Sequence, residues 1–279
     1  NVNQLQPGTI QANPGVNANS LRPYKGFSTI TLYETTGKSS YNSLQTQVER
    51  RSTRGLGFGI AYTLSRTKDD GSGRNDVLPN AFDESNYYGI SDLDRTHVLG
   101  TRVHYMFPTL ESSVAPLRWV LGDWNVSGVL QASSGAPFDV RTTVDIAGVG
   151  PGSGQQFYNV VGDPKAQRTD FDPALGYAVW FDRNAFQAPA AGTFGTQAQN
   201  TLRYPGYWDL HMSLRKSVRT FNGHRVELRW EAFNVLNRRR LNSDVGGNQV
   251  NNPTLVNEFG RITSLIGNRT MQVGLQYVF

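Results

Sequence analysis

The residues best suited to chemistry lie in one short acidic segment, Asp69-Asp-Gly-Ser-Gly-Arg-Asn-Asp76. Oxygen-bearing side chains recur there at alternate positions, as they do in calcium-binding loops, but the segment lacks the distal glutamate of an EF-hand. Asp69, Asp70 and Asp76 are therefore calcium candidates, although an ordinary solvated loop is the simpler interpretation. No other cofactor is expected.

Catalytic signals are scarce in the rest of the chain. The four histidines, His97, His104, His211 and His224, lack the spacing of metal ligands, and there is no Gly-x-Ser-x-Gly nucleophile motif. The absence of cysteine excludes a thiol nucleophile, a disulfide framework and a cysteine-ligated metal. We therefore expect a protein that is not an enzyme.

A run of three arginines, Arg238-Arg-Arg240, is the densest basic segment. Guanidinium groups make forked contacts to phosphate, so the run could meet lipopolysaccharide phosphates at a cell surface. A solvated charge run is the alternative. The chain has no broader basic patch interleaved with aromatic residues, so nucleic acid is not an expected partner.

The composition favours an all-β protein with long polar loops. In 279 residues there are 29 glycines and 18% charged residues, with 27 Lys+Arg against 22 Asp+Glu for a net charge of +5. Aromatic residues make up 11%, which is more than a disordered chain would carry. The first residue is Asn1 and no leader peptide is recognisable, so we expect a processed or partial product.

Apolar and polar residues alternate with a period of two, which is typical of strands, whereas helical periodicity is nearly absent. Each alternating stretch is about ten residues long, the length a tilted strand needs to cross a bilayer. The sequence therefore predicts a long-stranded antiparallel meander of an outer-membrane β-barrel, with about 8–10 strands present. The eight predicted strands are 27–35, 40–51, 56–65, 98–107, 124–131, 208–215, 226–233 and 271–279.

The predicted connections differ in length between the two ends of the sheet. Short ones at 52–55, 108–119 and 219–222 fall at one end, which matches the short periplasmic turns of outer-membrane barrels. The other end carries long outer loops at 68–94, 135–206 and 237–268, in which extra hairpins could lie near 138–144 or 259–266. Residues 1–26 are expected to form an extended arm or loop ahead of the barrel segment 27–279.

The two faces of these strands differ in chemistry. One is apolar, and aromatic residues such as Tyr62, Trp124 and Trp208 lie towards strand ends, as in the interfacial girdles of membrane barrels. The other carries polar residues that, in a barrel, would line the lumen and pair, Arg229 included. The predicted lumen network is Glu49, Arg102, His104, Asp209, His211, Arg215, Glu227, Arg229 and Glu231, with Gln45, Gln47, Gln272 and Gln276 on the same face.

Several segments look familiar when read in order. The last strand, Gln272-Val-Gly-Leu-Gln-Tyr-Val-Phe279, resembles the C-terminal assembly signal of outer-membrane barrels, with Gln272, Gly274, Tyr277 and Phe279 as its signal residues. The stretch 227–237 resembles the penultimate-strand motif of TonB-dependent receptors. Four further segments resemble the barrel of those receptors that carry a carboxypeptidase-regulatory-like N-terminal domain: Tyr41-Asn-Ser-Leu-Gln45, Tyr62-Thr-Leu-Ser65, Asp94-Arg-Thr-His97 and Ser134-Gly-Ala-Pro-Phe138.

The resemblance covers roughly residues 39–279 and implies the C-terminal part of a larger barrel. Such receptors have barrels of about 22 strands with a plugged lumen, and neither the plug nor a coupling motif is found in this sequence. Energised uptake is therefore not expected of these residues alone.

Three functional hypotheses follow. The first is the C-terminal barrel portion of a TonB-dependent-receptor-like transport or binding protein in the bacterial outer membrane or at the cell surface. It would be surrounded by lipid, pair with the remaining barrel strands and handle an unidentified transported ligand. The second is a processed exported β-structural module that pairs with copies of itself through exposed strand edges. The third is a small closed barrel of eight to ten strands.

Overall fold

The computed structural model describes residues 1–73, 76–109, 114, 120–220, 222–242 and 252–279. The helical elements with described bounds are short turns: Thr9–Ala12, Ala18–Leu21 and the 3₁₀ turn Arg183–Ala185. Among the described residues, no helix has the length and apolar character needed to cross a membrane. The long strands are β1 Ser39–Thr53, β2 Leu56–Asp69, β3 His97–Met106, β4 Trp124–Ser133, β5 Tyr207–Arg219, β6 Arg225–Phe233 and β7 Thr270–Val278.

These strands form one antiparallel sheet in which every strand pairs with its neighbour in sequence, from β1 to β7. A two-residue strand, Gly89–Ile90, extends the sheet beside the end of β2. The strands are 9 to 15 residues long. The prediction of an all-β, long-stranded antiparallel meander is confirmed. Within the described part of the chain, β1 and β7 are each paired along one side.

The predicted strand at 27–35 does not form. Its segment makes one backbone hydrogen bond to the N-terminus, from Val2 N to Ile30 O at 2.9 Å. The Asn3 side chain also holds it in a turn by donating to the carbonyl oxygens of Tyr24, Phe27 and Ser28. Alternation permits a strand, but a strand also needs a neighbouring backbone to complete its ladder, and this segment has none there.

The connections have the unequal lengths that the sequence indicates. At one end β1 and β2 are joined by the two-residue turn 54–55, and the others span 107–123 and 220–224. Arg54 and Gly55 both have positive φ, the conformation of tight hairpin turns that match strand twist. A Cβ on Gly55 would also lie 2.2 Å from Met106 O, so only glycine fits. The opposite end carries the connections 70–96, 134–206 and 234–269.

The long connections and the N-terminal residues pack together into one layer, which we call the cap (residues 1–38, 70–96, 134–206, 234–242 and 252–269). Short strand pairs join distant parts of it: Pro137–Phe138 with Leu202–Arg203, and Ala178–Val179 with Arg261–Ile262. The regions near 138–144 and 259–266 therefore do contain strand residues. Near 138–144, Arg141–Thr142 pairs with the next strand in sequence, Gln156–Phe157, so a hairpin forms within the 134–206 connection. Near 259–266, Arg261–Ile262 and Leu265–Ile266 pair with the more distant Ala178–Val179 and Arg240–Leu241.

The buried apolar core lies in the cap. Phe181 is 2% exposed, and its ring centroid is 5.3 Å from that of Phe186 and 5.2 Å from that of Phe259, both edge-to-face. The sheet has no such core, because its apolar side chains are largely exposed. The cluster consists of Phe138, Val140, Phe181, Ala185, Phe186, Leu202, Tyr204, Phe259 and Ile262.

Residues 1–26, for which the sequence predicts an extended arm or loop, contain the two short helical turns and pack within the cap. Leu5 N and Gly8 N donate to the carbonyl oxygens of Val149 and Ala147. Arg22 is buried, and its guanidinium donates to Pro151 O at 2.7 Å and to Asn3 O at 2.5 Å. A buried guanidinium needs acceptors for its donors, and these carbonyls supply them.

Candidate functional site

The strand register separates polar from apolar side chains across the whole sheet. Residues directly opposite in an antiparallel ladder point to the same face. One row runs Tyr62, Leu99, Ala132 and Trp208 across β2 to β5. The next row on the other face runs Gln47, Ala61, Gly100, Gln131 and Asp209. The sheet therefore has one apolar face and one polar face throughout its width.

The side chains predicted to line a lumen share this polar face. They are Gln45, Gln47, Glu49, Arg102, His104, Asp209, His211, Arg215, Glu227, Arg229, Glu231, Gln272 and Gln276. The register places them together although they come from five strands.

Glu49 and Arg102 form an ion pair that spans three strands. Gly59 lies between them in the register, opposite Glu49 on one side and Arg102 on the other. A Cβ at position 59 would lie 2.9 Å from Arg102 Nε, so the missing side chain leaves room for the arginine to reach across β2.

A second polar group lies on β6 and β7. Glu231 accepts a hydrogen bond from Gln272 Nε2, and Arg229 Nε lies 3.7 Å from Glu231 Oε1. Arg225 and Glu227 form a similar pair at 3.1 Å. The Arg229 side chain is 51% exposed in this single chain. The polar face of this sheet is open beside β6 and β7, which leaves such groups accessible to solvent.

The remaining predicted network residues on β3 and β5 have other neighbours as well. Arg215 lies opposite Asn125 on one side and Arg229 on the other, and His104 lies over Gly57. His211 Nδ1 accepts a hydrogen bond from Asn234 N at 3.0 Å, which ties β5 to the start of the 234–269 connection.

The arginine run is divided between two faces of the sheet. Arg240 has its guanidinium 4.6 Å from the Tyr207 ring centroid, and its Nη2 lies 3.4 Å from Asp209 Oδ2. Arg238 is instead 4.5 Å from the ring centroid of Trp208. Tyr207 and Trp208 are successive strand residues and point to opposite faces. The Arg240 side chain therefore lies at the polar face of the sheet, and the Arg238 side chain lies at the apolar face.

The apolar face carries aromatic residues at both ends of the strands. Tyr62 and Trp208 lie in the row nearest the cap, while Trp124, Tyr105 and Phe107 lie towards the short turns. Within β4 the Trp208 and Trp124 rows are eight residues apart, since Ala132 lies opposite Trp208. At about 3.3 Å per residue that is about 26 Å. Because barrel strands are tilted by about 35–45°, this distance spans about 18–21 Å of membrane depth, most of the apolar band of about 25 Å. The face is therefore large enough to be a lipid-contacting surface.

The terminal strand contributes to the same face. Met271, Val273, Leu275 and Tyr277 alternate outward from β7, while Gln272 and Gly274 face the polar side. Phe279 follows the strand and is 93% exposed, with its ring centroid 6.3 Å from that of Tyr277. The proposed assembly-signal residues therefore form an accessible edge of the sheet.

The acidic segment is not arranged as a calcium site in the described residues. Both Asp69 oxygens accept from Ser72 Oγ, at 2.9 and 3.0 Å, and Asp70 accepts from Lys38 N. Asp76 accepts from Gly73 N at 2.6 Å. Where the structure describes the chain, no three acidic or histidine side chains come together as metal ligands. Residues 74 and 75 lie outside the described residues.

Three of the quoted sequence motifs meet in one hydrogen-bonded junction at the cap end of β2, β3 and β4. Tyr62 Oη lies 2.8 Å from His97 Nδ1, and Ser65 N donates to Thr96 O at 2.9 Å. Ser134 Oγ accepts from His97 N at 3.1 Å, while Ser134 N donates to His97 O at 2.9 Å. Short polar side chains at these positions complete the ladder where the strands enter the cap.

Asp94 lies at the centre of the junction and is fully buried. It accepts from Thr67 N at 2.6 Å and Thr96 Oγ1 at 3.1 Å, and it forms an ion pair with Arg203, which also donates to Gly135 O. Sequence reasoning missed Arg203. No local pattern distinguishes it, because its partner lies 109 positions away.

Further buried polar groups hold the cap in one conformation. The Asp139 carboxylate accepts from Arg141 and from Asn200 N, and the Arg141 guanidinium lies 4.8 Å from the Phe157 ring centroid. Burial by itself would lower the pKa of Arg141, but the Asp139 carboxylate outweighs it and raises that pKa. Burial raises the pKa of the Tyr87 hydroxyl to about 12.

Comparison with known proteins agrees with this geometry. A family model described as "Outer membrane beta barrel domain" matches residues 1–272. No curated protein and no solved structure matches the chain.

Proposed function

The chain belongs to the outer membrane β-barrel domain family, and from that premise we propose that it forms the C-terminal barrel portion of a TonB-dependent-receptor-like protein. The family places it in the bacterial outer membrane, where its apolar face contacts lipid. The proposed role is to bind a polar solute at the cap and pass it along the polar face. It is a binding and transport role, without catalysis.

The observation that carries this proposal is the junction at Asp94. The segments 62–65, 94–97 and 134–138, which resemble the receptor barrels, are far apart in sequence but hydrogen-bonded to one another in the structure. Arg203 anchors the same junction to the end of the 134–206 connection. Because these segments together form one junction, the resemblance extends over several separate motifs.

The cap and polar face supply the surfaces that such a role requires. The cap is an ordered layer with its own apolar core, so it can present a defined surface to an external solute. Below it, ion pairs and amides on the polar face offer hydrogen-bonding groups from one end of the strands to the other. Functional residues are often held on loops that a rigid scaffold positions.

Uptake by cells that make the full-length protein tests the proposal. Cells with and without the gene would be given a mixture of oligosaccharides and peptides, and depletion of each compound from the medium would be measured. We expect at least one compound to be depleted faster when the protein is present. A protonophore should abolish that difference, because receptors of this type depend on an energised inner membrane.

The control is protease shaving of intact cells, which verifies that the cap is exposed and the protein inserted. Equal depletion of every compound with and without an inserted protein would refute transport. A difference that survives the protonophore would instead indicate a passive pore.

Among the described residues β1 and β7 each pair along one side only, and these edges favour a second candidate, a module that pairs with other strands or other copies. Unsatisfied backbone groups are costly in lipid, so each edge needs a partner there. Light scattering of the detergent-solubilised native protein distinguishes the receptor portion from the self-associating module. A single-copy mass supports the receptor portion, and a series of multiples supports self-association.

A further inference from the structure

An open groove crosses the apolar face where β2 to β5 approach the cap. Its volume is about 440 Å³, and its exposed lining is mainly apolar. Its lining includes Tyr62 on β2, His97 and Leu99 on β3, Ala132 on β4, and Gly206 and Trp208 at the start of β5. Small residues between large aromatic ones leave a channel in an otherwise bulky surface.

The groove ends beside a positive charge. The guanidinium of Arg238 lies 4.5 Å from the ring centroid of Trp208, and Arg238 is exposed. Arg239 and Arg269 are also exposed, and Arg239 Nε donates to Asn268 Oδ1 at 3.2 Å. Arg240, by contrast, is engaged with Asp209 on the polar side. The groove thus joins an apolar surface to a cationic one.

We propose that this groove binds one acyl chain of a phosphorylated glycolipid of the outer leaflet, with Arg238 contacting a phosphate. The apolar channel is continuous with the lipid-contacting face and lies in its cap-proximal aromatic row, at the depth of lipid headgroups. Arginine suits a phosphate there because its planar fork donates to two oxygens while its face stacks on an indole. Trp208 would hold the guanidinium in place before the lipid arrives.

This inference rests on the membrane-facing surface alone, so it stands or falls independently of the proposed transport. The occupant is chosen by charge complementarity. A neutral lipid would satisfy the groove but leave Arg238 without an anion, and free phosphate would satisfy Arg238 but leave the groove empty.

Native mass spectrometry of the full-length protein in a neutral detergent tests the proposal. The protein would be titrated with hexa-acylated diphosphoryl lipid A, with the same lipid after dephosphorylation, and with inorganic phosphate as a competitor. We expect preferential binding of the phosphorylated lipid. Arg238→Gln should weaken binding of that lipid about tenfold, in line with loss of a charge-assisted hydrogen bond.

Two further variants sharpen the result. Arg239→Gln removes the same charge from the same run, but its side chain bonds to Asn268 and should leave the lipid preference intact. Ala132→Trp should fill the groove and weaken both lipids. Equal affinity of the native protein for the two lipids, or equal losses from Arg238→Gln and Arg239→Gln, would overturn the proposal. Full competition by inorganic phosphate would show a simple anion site. The native protein's lipid preference decides the matter even if a variant does not fold.

Discussion

The buried Asp94 forms an ion pair with the partly exposed Arg203, which links the start of β3 to the far end of the 134–206 connection. Asp94 is 0% exposed and also accepts from Thr67 N and Thr96 Oγ1. One carboxylate therefore joins β2, β3 and the cap. The strands and the cap are coupled through this pair.

Replacing Asp94 by alanine should destabilise the protein by about 1–3 kcal/mol, because Thr67 N loses its buried acceptor and the partly exposed Arg203 loses its ion-pair partner. Urea unfolding of the protein in micelles measures this. The matched control is Asp170→Ala, at an exposed position of the cap, which should change stability by less than about 0.5 kcal/mol. Equal effects of the two substitutions would show that the Asp94–Arg203 pair does not couple cap and strands.

Replacing Phe181 by alanine should open the cap and leave the sheet folded. The side chain contacts Phe138, Phe186 and Phe259, so its loss creates a cavity costing about 3–5 kcal/mol. Limited proteolysis should then cut within 134–206 faster than within the strands. Phe82→Ala, at a half-exposed position, is the control and should leave the cleavage pattern unchanged.

The cap should loosen at high pH. Tyr87 has its pKa raised to about 12 by burial, against about 10 in an unfolded chain. The stabilisation that the buried neutral phenol contributes is fully present below pH 10 and is lost as the pH rises through 12, by up to about 3 kcal/mol. Absorbance of the ionised phenol and proteolysis would be followed together from pH 9 to 12.5. Tyr87→Phe should remove the high-pH step, and an unchanged step in that variant would contradict the assignment.

Replacing Arg229 by leucine should change stability by less than about 1 kcal/mol. Its side chain is half-exposed and its contact to Glu231 is 3.7 Å, the geometry of a surface pair. The confined lumen expected from alternation alone would instead give about 3–5 kcal/mol. The same urea titration measures the change, and a loss in the larger range would show that the polar face is enclosed in the membrane.

Removal of the Phe279 ring by alanine substitution should lower the amount of protein inserted in the outer membrane. Phe279 is exposed beside Tyr277 at the lipid-facing edge, where it is available to assembly machinery. Heat-modifiable migration and membrane fractionation report the inserted fraction. Val278→Ala, one residue earlier and on the other face, should insert normally, and equal insertion of the two variants would argue against a terminal signal.

The alternation of side chains determined most of the sheet. The seven strands that formed were predicted to within two residues at each end, except that β2 and β5 each continue four residues further. The same period of two assigned Glu49, Arg102 and Glu231 to one face, because successive side chains in any extended strand point to opposite sides. The face on which each strand residue lies could therefore be predicted from the sequence, without knowledge of the fold.

Other features depend on which distant segments of the chain come into contact, and only the tertiary structure decides those. The strand expected at 27–35 failed for want of a neighbouring ladder, and the long connections condensed into a cap around Phe181 instead of remaining separate loops. Arg203 became the partner of Asp94, and Arg238 and Arg240 went to opposite faces of the sheet. These outcomes are set by contacts between residues far apart in the chain, about which local spacing carries no information.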